Sequence, residues 1–168
     1  MTRTRCSPLN NVHSTWFQVS GNCMAPLIRE SDLVMTVPAT ELRTGDIVVI
    51  PGSPPVVHRV LRILKRNYVL TKGDASLSLD SPLAKDELAG KVMAFMRQEG
   101  KPIVMKGWLW RVSNYLMARY SLACSLIWEL ASKNKWFLQI YRWSSTPLKH
   151  VSMSVAKVVT GFAILQRG

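Results

Sequence analysis

The sequence predicts a mostly β domain, folded as a small, irregular antiparallel barrel or folded sheet and followed by a C-terminal α-helical extension. Three observations predict it. Between residues 14 and 104, short β-rich runs recur with Gly, Pro, Asn and Asp turn signals between them. From Trp108 to Ser132 neither Pro nor Gly occurs, and Leu, Met, Ala and aromatic residues that favour helix take over. Charge changes near the same boundary: residues 1–100 carry 12 basic and 9 acidic residues, net +3, whereas residues 101–168 carry 10 basic residues and one acidic, Glu129, net +9. A chain of 168 residues can bury one good core and add an extension, but not two full-sized domains. The expected division is a loose arm at 1–13, a domain at 14–104 and a basic, aromatic-rich helical extension at 105–168.

Taken in order, residues 1–13 are polar and without period. Trp16–Ser20 alternates as a short strand, and Gly21-Asn22 supplies turn chemistry before Cys23-Met24-Ala25-Pro26, so Cys23 falls just past a strand-to-turn corner. Leu33–Val37 and Asp46–Ile50 are β-rich, the second opened by the turn signal Thr44-Gly45-Asp46. Pro51-Gly52-Ser53-Pro54-Pro55 forms a stiff loop into the strand Val56–Val60, which places His58 near a strand start. Asn67–Thr71 is a further strand, Lys72-Gly73-Asp74 a turn, Ala75–Asp86 a polar connection without regular structure, and Gly90–Met96 the closing strand. Helix is expected over Trp108–Ser132, again from Asn134 to Trp143, and from Pro147, well placed as a first helical residue, to about Val159.

Composition narrows the function classes. With 48% hydrophobic and 19% charged residues the chain is globular, neither disordered nor fibrous. Cys6, Cys23 and Cys124 are odd in number, far apart and without CxxC or Cys/His spacing, which argues against a disulfide framework or a zinc site and for a reducing, cytoplasmic compartment. The first 16 residues lack the apolar run of a secretory signal. Tyr115–Ala131 comes nearest to a membrane span but is broken by Arg119 and Glu129. No metal and no organic cofactor is implied.

The residues around Cys23 carry a resemblance. Val19-Ser20-Gly21-Asn22-Cys23-Met24-Ala25-Pro26, followed by Gly45-Asp46-Ile47-Val48, resembles the nucleophile box and downstream strand of the signal peptidase I and LexA-like peptidases, with cysteine where that family has serine. His58-Arg59-Val60 is similar to the base-carrying box of the histidine subclass found in archaea and the endoplasmic reticulum. Thr71-Lys72-Gly73-Asp74, with Asp80 six residues on, resembles the acidic box, and Leu88-Ala89-Gly90-Lys91-Val92 the closing strand. Four boxes in the family's order span about half the chain. The resemblance implies a β-rich, signal peptidase-like endopeptidase that cuts an extended peptide after small residues. Carried over, Cys23 is the nucleophile, His58 the base, and Asp74 or Asp80 the group that orients it. Gly21, Asn22, Met24 and Pro26 shape the corner and line the substrate cleft. Gly21 stands where some relatives have a hydroxyl that assists the oxyanion, so the Cys23 backbone N–H, Ser20 or other backbone groups would have to serve. A thiol, ordinarily near pKa 8.5, ionises readily beside an imidazole and is then strongly nucleophilic, so the replacement is chemically sound.

The expected substrate is a peptide or protein precursor, such as the leader segment of a small ribosomally made peptide. A catalytically inactive peptide-binding module of the same fold is the competing class; a self-cleaving regulator ranks last, because only about 15 residues precede the domain. In the extension, basic residues alternate with Trp, Tyr and Phe, a mixture that also suits nucleic acid. The spacing argues against that partner: Trp108, Val112, Tyr115, Leu116, Arg119, Leu122, Ala123 and Leu126 fall on one face of an amphipathic helix. That face is expected to pack on the domain, with a membrane surface or a protein partner for 105–168 as the next reading.

Overall fold

The computed structural model describes residues 14–97 and 100–132. Within them lies one curled antiparallel sheet, a half-barrel, followed by one helix. Its strands are β1 (Thr15–Gln18), β2 (Leu33–Val37), β3 (Ile47–Ile50), β4 (Val56–Ile63), β5 (Tyr68–Lys72), β6 (Leu83–Ala84), β7 (Gly90–Met96) and β8 (Ile103–Val104). The order across the sheet is β1-β2-β7-β3-β4-β5-β6, and β8 pairs beside β7 at Ala94 and Phe95. Register shifts between Met35 and Thr36 against β7, and between Val60 and Arg62 against β5, locally strengthen twist and help the sheet curl.

Burial follows the pleat. Met24, Ile28, Val34, Val49, Val57, Phe95 and their neighbours fill the inside of the curl, while Leu42, Val48, Val60 and Val69 form a second cluster. β4 runs three residues beyond the expected Val56–Val60, carried by the pairing of Arg62 and Ile63 with Leu70 and Val69 of β5 past the register shift at Leu61. The connection expected to be irregular, Ala75–Asp86, contains β6, which pairs Leu83 and Ala84 with Val69 and Tyr68, and leads into a 3-10 turn at Lys85–Glu87. Two-residue strands such as β6 and β8 are too short to leave a period in the sequence.

Helix α1 (Trp108–Ser132) has the expected bounds but presents the opposite face to the domain. Trp110, Asn114, Met117, Ala118, Ser121 and Ser125 look inward, and Trp110 enters the main core. Trp108, Val112, Tyr115, Leu116 and Leu126, expected to be covered, are exposed. The reason lies beneath the helix. Arg59 of β4 and Lys72 of β5 are direct cross-strand partners, both buried, and both point at α1. Two buried cations require polar partners, and an apolar helix face could not supply them. The helix also approaches very closely: a Cβ on Gly45 would lie 2.7 Å from the Asn114 carbonyl carbon. The expected arm at 1–13 and helical stretches at 134–143 and 147–159 lie outside the described residues, as do Cys6, His13 and His150.

Candidate active site

Cys23 sits on a tight turn between β1 and β2 whose base is closed by two backbone hydrogen bonds, Val19 N–H to Asp32 O (2.8 Å) and Ser31 N–H to Val19 O (3.0 Å). Gly21 takes φ +88° at the corner. Asn22 braces the turn twice, its carbonyl accepting from Ala25 N–H (3.0 Å) and its side-chain Oδ1 from Glu30 N–H (3.2 Å). Met24, Leu27 and Ile28 plunge into the core and fix the turn from below. The cleft-lining role expected of Met24 is therefore replaced by anchoring, since none of its side chain is exposed. Pro26 is half-buried, and its carbonyl, like that of Leu27, accepts from Arg97 Nη2.

This pinned turn delivers a half-buried Cys23 whose Sγ lies 3.3 Å from Val57 O, the residue before His58. On the other side, Cys23 O accepts from Ala75 N–H at 2.8 Å. Gly73 permits that approach: a Cβ there would stand 2.7 Å from Cys23 O and 2.9 Å from Cys23 Cβ, closer than side chains pack.

His58 projects from β4, mostly buried, and its Nδ1 donates to Asp80 Oδ2 at 2.5 Å. Thr71 Oγ1 donates to the same oxygen (2.8 Å), and Asp80 N–H donates to Thr71 O (3.1 Å), so β5 fixes Asp80 once at its carboxylate and once at its backbone. Burial works to lower the pKa of His58. The hydrogen bonds to Asp80 and Cys23, with the electrostatic attraction of Asp80 behind them, outweigh it, and the value rises from 6.5 to about 9. With Nδ1 engaged by Asp80, Nε2 is the ring nitrogen left for Cys23.

The other candidate acid is elsewhere. Asp74 receives Arg59 in a bidentate pair, Nε to Oδ1 at 2.8 Å and Nη2 to Oδ2 at 2.6 Å, with both side chains almost wholly buried. Arg59 Nη1 also donates to Gly45 O (3.0 Å) and to Asn114 Oδ1 of α1 (2.9 Å). Successive side chains on a strand point to opposite faces, so the neighbours His58 and Arg59 address different aspartates. Lys72 Nζ donates to Ser121 Oγ at 2.6 Å, and burial pushes the ammonium pKa down against the opposing charges of Asp74, Cys124 and Asp80. Ser125 Oγ reaches Leu77 O (3.2 Å) in the connection that carries Asp80.

Of the sequence-derived candidates, the structure thus brings Cys23, His58 and Asp80 together and assigns Asp74 to Arg59. Gly21, Asn22, Met24 and Pro26 build the turn that carries the thiol. Sequence reasoning gave no role to Thr71, Arg59 or Asn114. The position of Arg59 between the apolar residues Val57, Val60 and Leu61 was a usable signal, because a buried guanidinium demands an acid; nothing in the spacing marked Asn114. Among the described residues no group of three or more His, Cys, Asp and Glu could hold a metal ion. A hollow of 490 Å³, lined by residues such as Thr36, Thr40, Asn67, Lys85 and Asp86, includes none of the three grouped side chains. Comparisons of the chain with protein-family models, curated proteins and solved structures find no match.

Proposed function

We propose that the protein is an endopeptidase of the signal peptidase-like kind with a Cys23–His58–Asp80 site, cutting an extended peptide or precursor after small residues. The observation that carries this reading is the convergence of a thiol, an imidazole and a carboxylate from three separate segments, with Asp80 on His58 Nδ1 and Cys23 within hydrogen-bonding reach of the same ring. The curled antiparallel sheet and the corner turn before Met24 support the same fold-level resemblance.

In the proposed reaction, Cys23 as thiolate attacks the scissile carbonyl carbon, and the carbonyl oxygen takes up the negative charge beside fixed donors such as the Cys23 backbone N–H. Collapse expels the amine, which takes its proton from the His58 imidazolium, and leaves a thioester on Cys23. Neutral His58 then removes a proton from water, the hydroxide attacks the thioester, and the new acid departs as the thiolate is regenerated. Asp80 holds the ring and favours its charged form; Asp74 takes no part.

The test is the rate at which iodoacetamide alkylates Cys23 at pH 7, read by mass spectrometry with Cys124 as internal reference. An active pair gives a Cys23 that reacts well ahead of Cys124 and slows at least tenfold in His58→Ala. A slow Cys23 indifferent to His58 refutes the enzyme and favours a peptide-binding module of the same fold.

A further inference from the structure

Helix α1 packs inward with a mixture of apolar and polar side chains, Trp110, Met117 and Ala118 among the apolar ones, and leaves a large apolar surface outward. Its inward face carries Asn114, Ser121 and Ser125, all hydrogen-bonded to the domain. Its outward face carries apolar side chains at Trp108, Val112, Leu116, Leu126, Ile127 and Leu130, between 46% and 71% exposed, with the exposed Arg119 set among them between Leu116 and Leu126. At about 1.5 Å per residue the row runs for roughly 33 Å. Soluble monomers rarely present apolar surface on that scale.

We propose that this face is a docking surface for an anionic membrane, with the helix lying in the plane of the headgroups. Charge selects the partner. Lys106, Arg111 and Arg119 are exposed along or beside the row, and Glu129 is the one acid in residues 101–168. The following stretch of this chain, residues 133–168, adds six basic residues and no acidic one, and a second copy presents the same basic helix, so both would meet the face with like charge. An anionic surface would not. Geometry points the same way. A single outward helix is a convex ridge, suited to sinking into the boundary between headgroups and acyl chains, where Trp108 and Tyr115 have an apolar body and a polar tip to place and Arg119 can lift its guanidinium to phosphate. No helix of the described residues is long and apolar enough to cross a membrane, which fits lying on the bilayer.

The experiment sediments the full chain with vesicles of phosphatidylcholine alone or with 30 mol% phosphatidylglycerol, at low and high salt, beside the variant Leu116→Glu/Ile127→Glu. The expected result is at least tenfold stronger partition onto the anionic vesicles, weakened by salt, and at least a tenfold loss in the double variant with its thermal midpoint unchanged. Wild type left in the supernatant overturns the proposal. So does a double variant that binds as wild type, which would assign binding to general charge or to residues 133–168. A fall of several degrees in the variant's midpoint would show the face already covered within the chain, and a wild-type dimer that the variant makes monomeric would name a second copy. Retention on poly-glutamate with no vesicle binding would name an acidic protein instead. The cysteine chemistry plays no part in these outcomes, so the two readings stand or fall separately.

Discussion

Asp74 and Asp80 lie six residues apart in one connection, yet their surroundings give them opposite duties. Asp74 neutralises a guanidinium that is 1% exposed; Asp80 is more open and touches an imidazole that can take or lose a proton. Removing the charge of Asp74 leaves Arg59 buried without its counter-ion, a change that costs about 3–5 kcal/mol. Asp74→Asn should therefore lower the urea midpoint sharply while the alkylation rate of Cys23 in the remaining folded protein barely changes. Asp80→Asn should act mainly on the site: it removes the largest influence raising the His58 pKa, so its stability loss at pH 7 stays within the roughly 3 kcal/mol that the raised pKa links to folding, while Cys23 alkylation slows on the order of tenfold for each unit by which the His58 pKa falls. Equal effects of the two substitutions on reactivity would contradict this division of labour. In the sequence both aspartates stood as equal candidates, because the side that each neighbour of β4 faces depends on strand register and not on spacing.

At the scale of elements, α1 acts as a brace behind the site. Asn114 holds the guanidinium of Arg59, on the face of β4 opposite His58, Ser121 holds Lys72 next to the turn at Gly73, and Ser125 holds Leu77 in the connection bearing Asp80. Asn114→Ala removes one charge-assisted hydrogen bond while Gly45 O still accepts from Arg59, so a loss of about 1.5–3 kcal/mol is expected. Leu116→Ala, on the outward face, should stay within about 0.5 kcal/mol of wild type. Urea unfolding of the pair measures which face packs, and a larger loss at Leu116 would reverse the assignment. The helix bounds were legible, because a 25-residue stretch without Pro or Gly has few alternatives, as were Leu33–Val37 and Gly90–Met96, where β-rich runs end at turn residues. The packing face was not. Hydrophobic periodicity names the apolar side of a helix and assumes that it faces inward, an assumption that fails when the surface beneath carries Arg59 and Lys72. Cys23 and His58 were legible through their box context, whereas Thr71 and Asn114 act through tertiary contacts that leave no local pattern.

For the molecule as a whole, the buried charges tie folding to pH in two opposed ways. His58 has its pKa raised to about 9 in the folded chain against 6.5 unfolded, so between those values the folded state holds a proton that the unfolded state has released. Its stabilising contribution is complete below 6.5, roughly 3 kcal/mol at most, and is lost as pH rises through about 9. Lys72 runs the other way: its folded pKa is lowered, so burying its ammonium is a cost that disappears as pH rises toward its unfolded value of 10.5. A wild-type profile alone would mix the two. The difference between wild type and His58→Gln isolates the histidine, and that difference should be largest near pH 6, shrink between pH 7 and 9, and leave no histidine contribution in wild type by pH 10. Urea unfolding of both proteins across that range measures it. A difference independent of pH would mean that His58 gains nothing from Asp80 and Cys23 on folding, and would remove the electrostatic basis for grouping the three residues as one site.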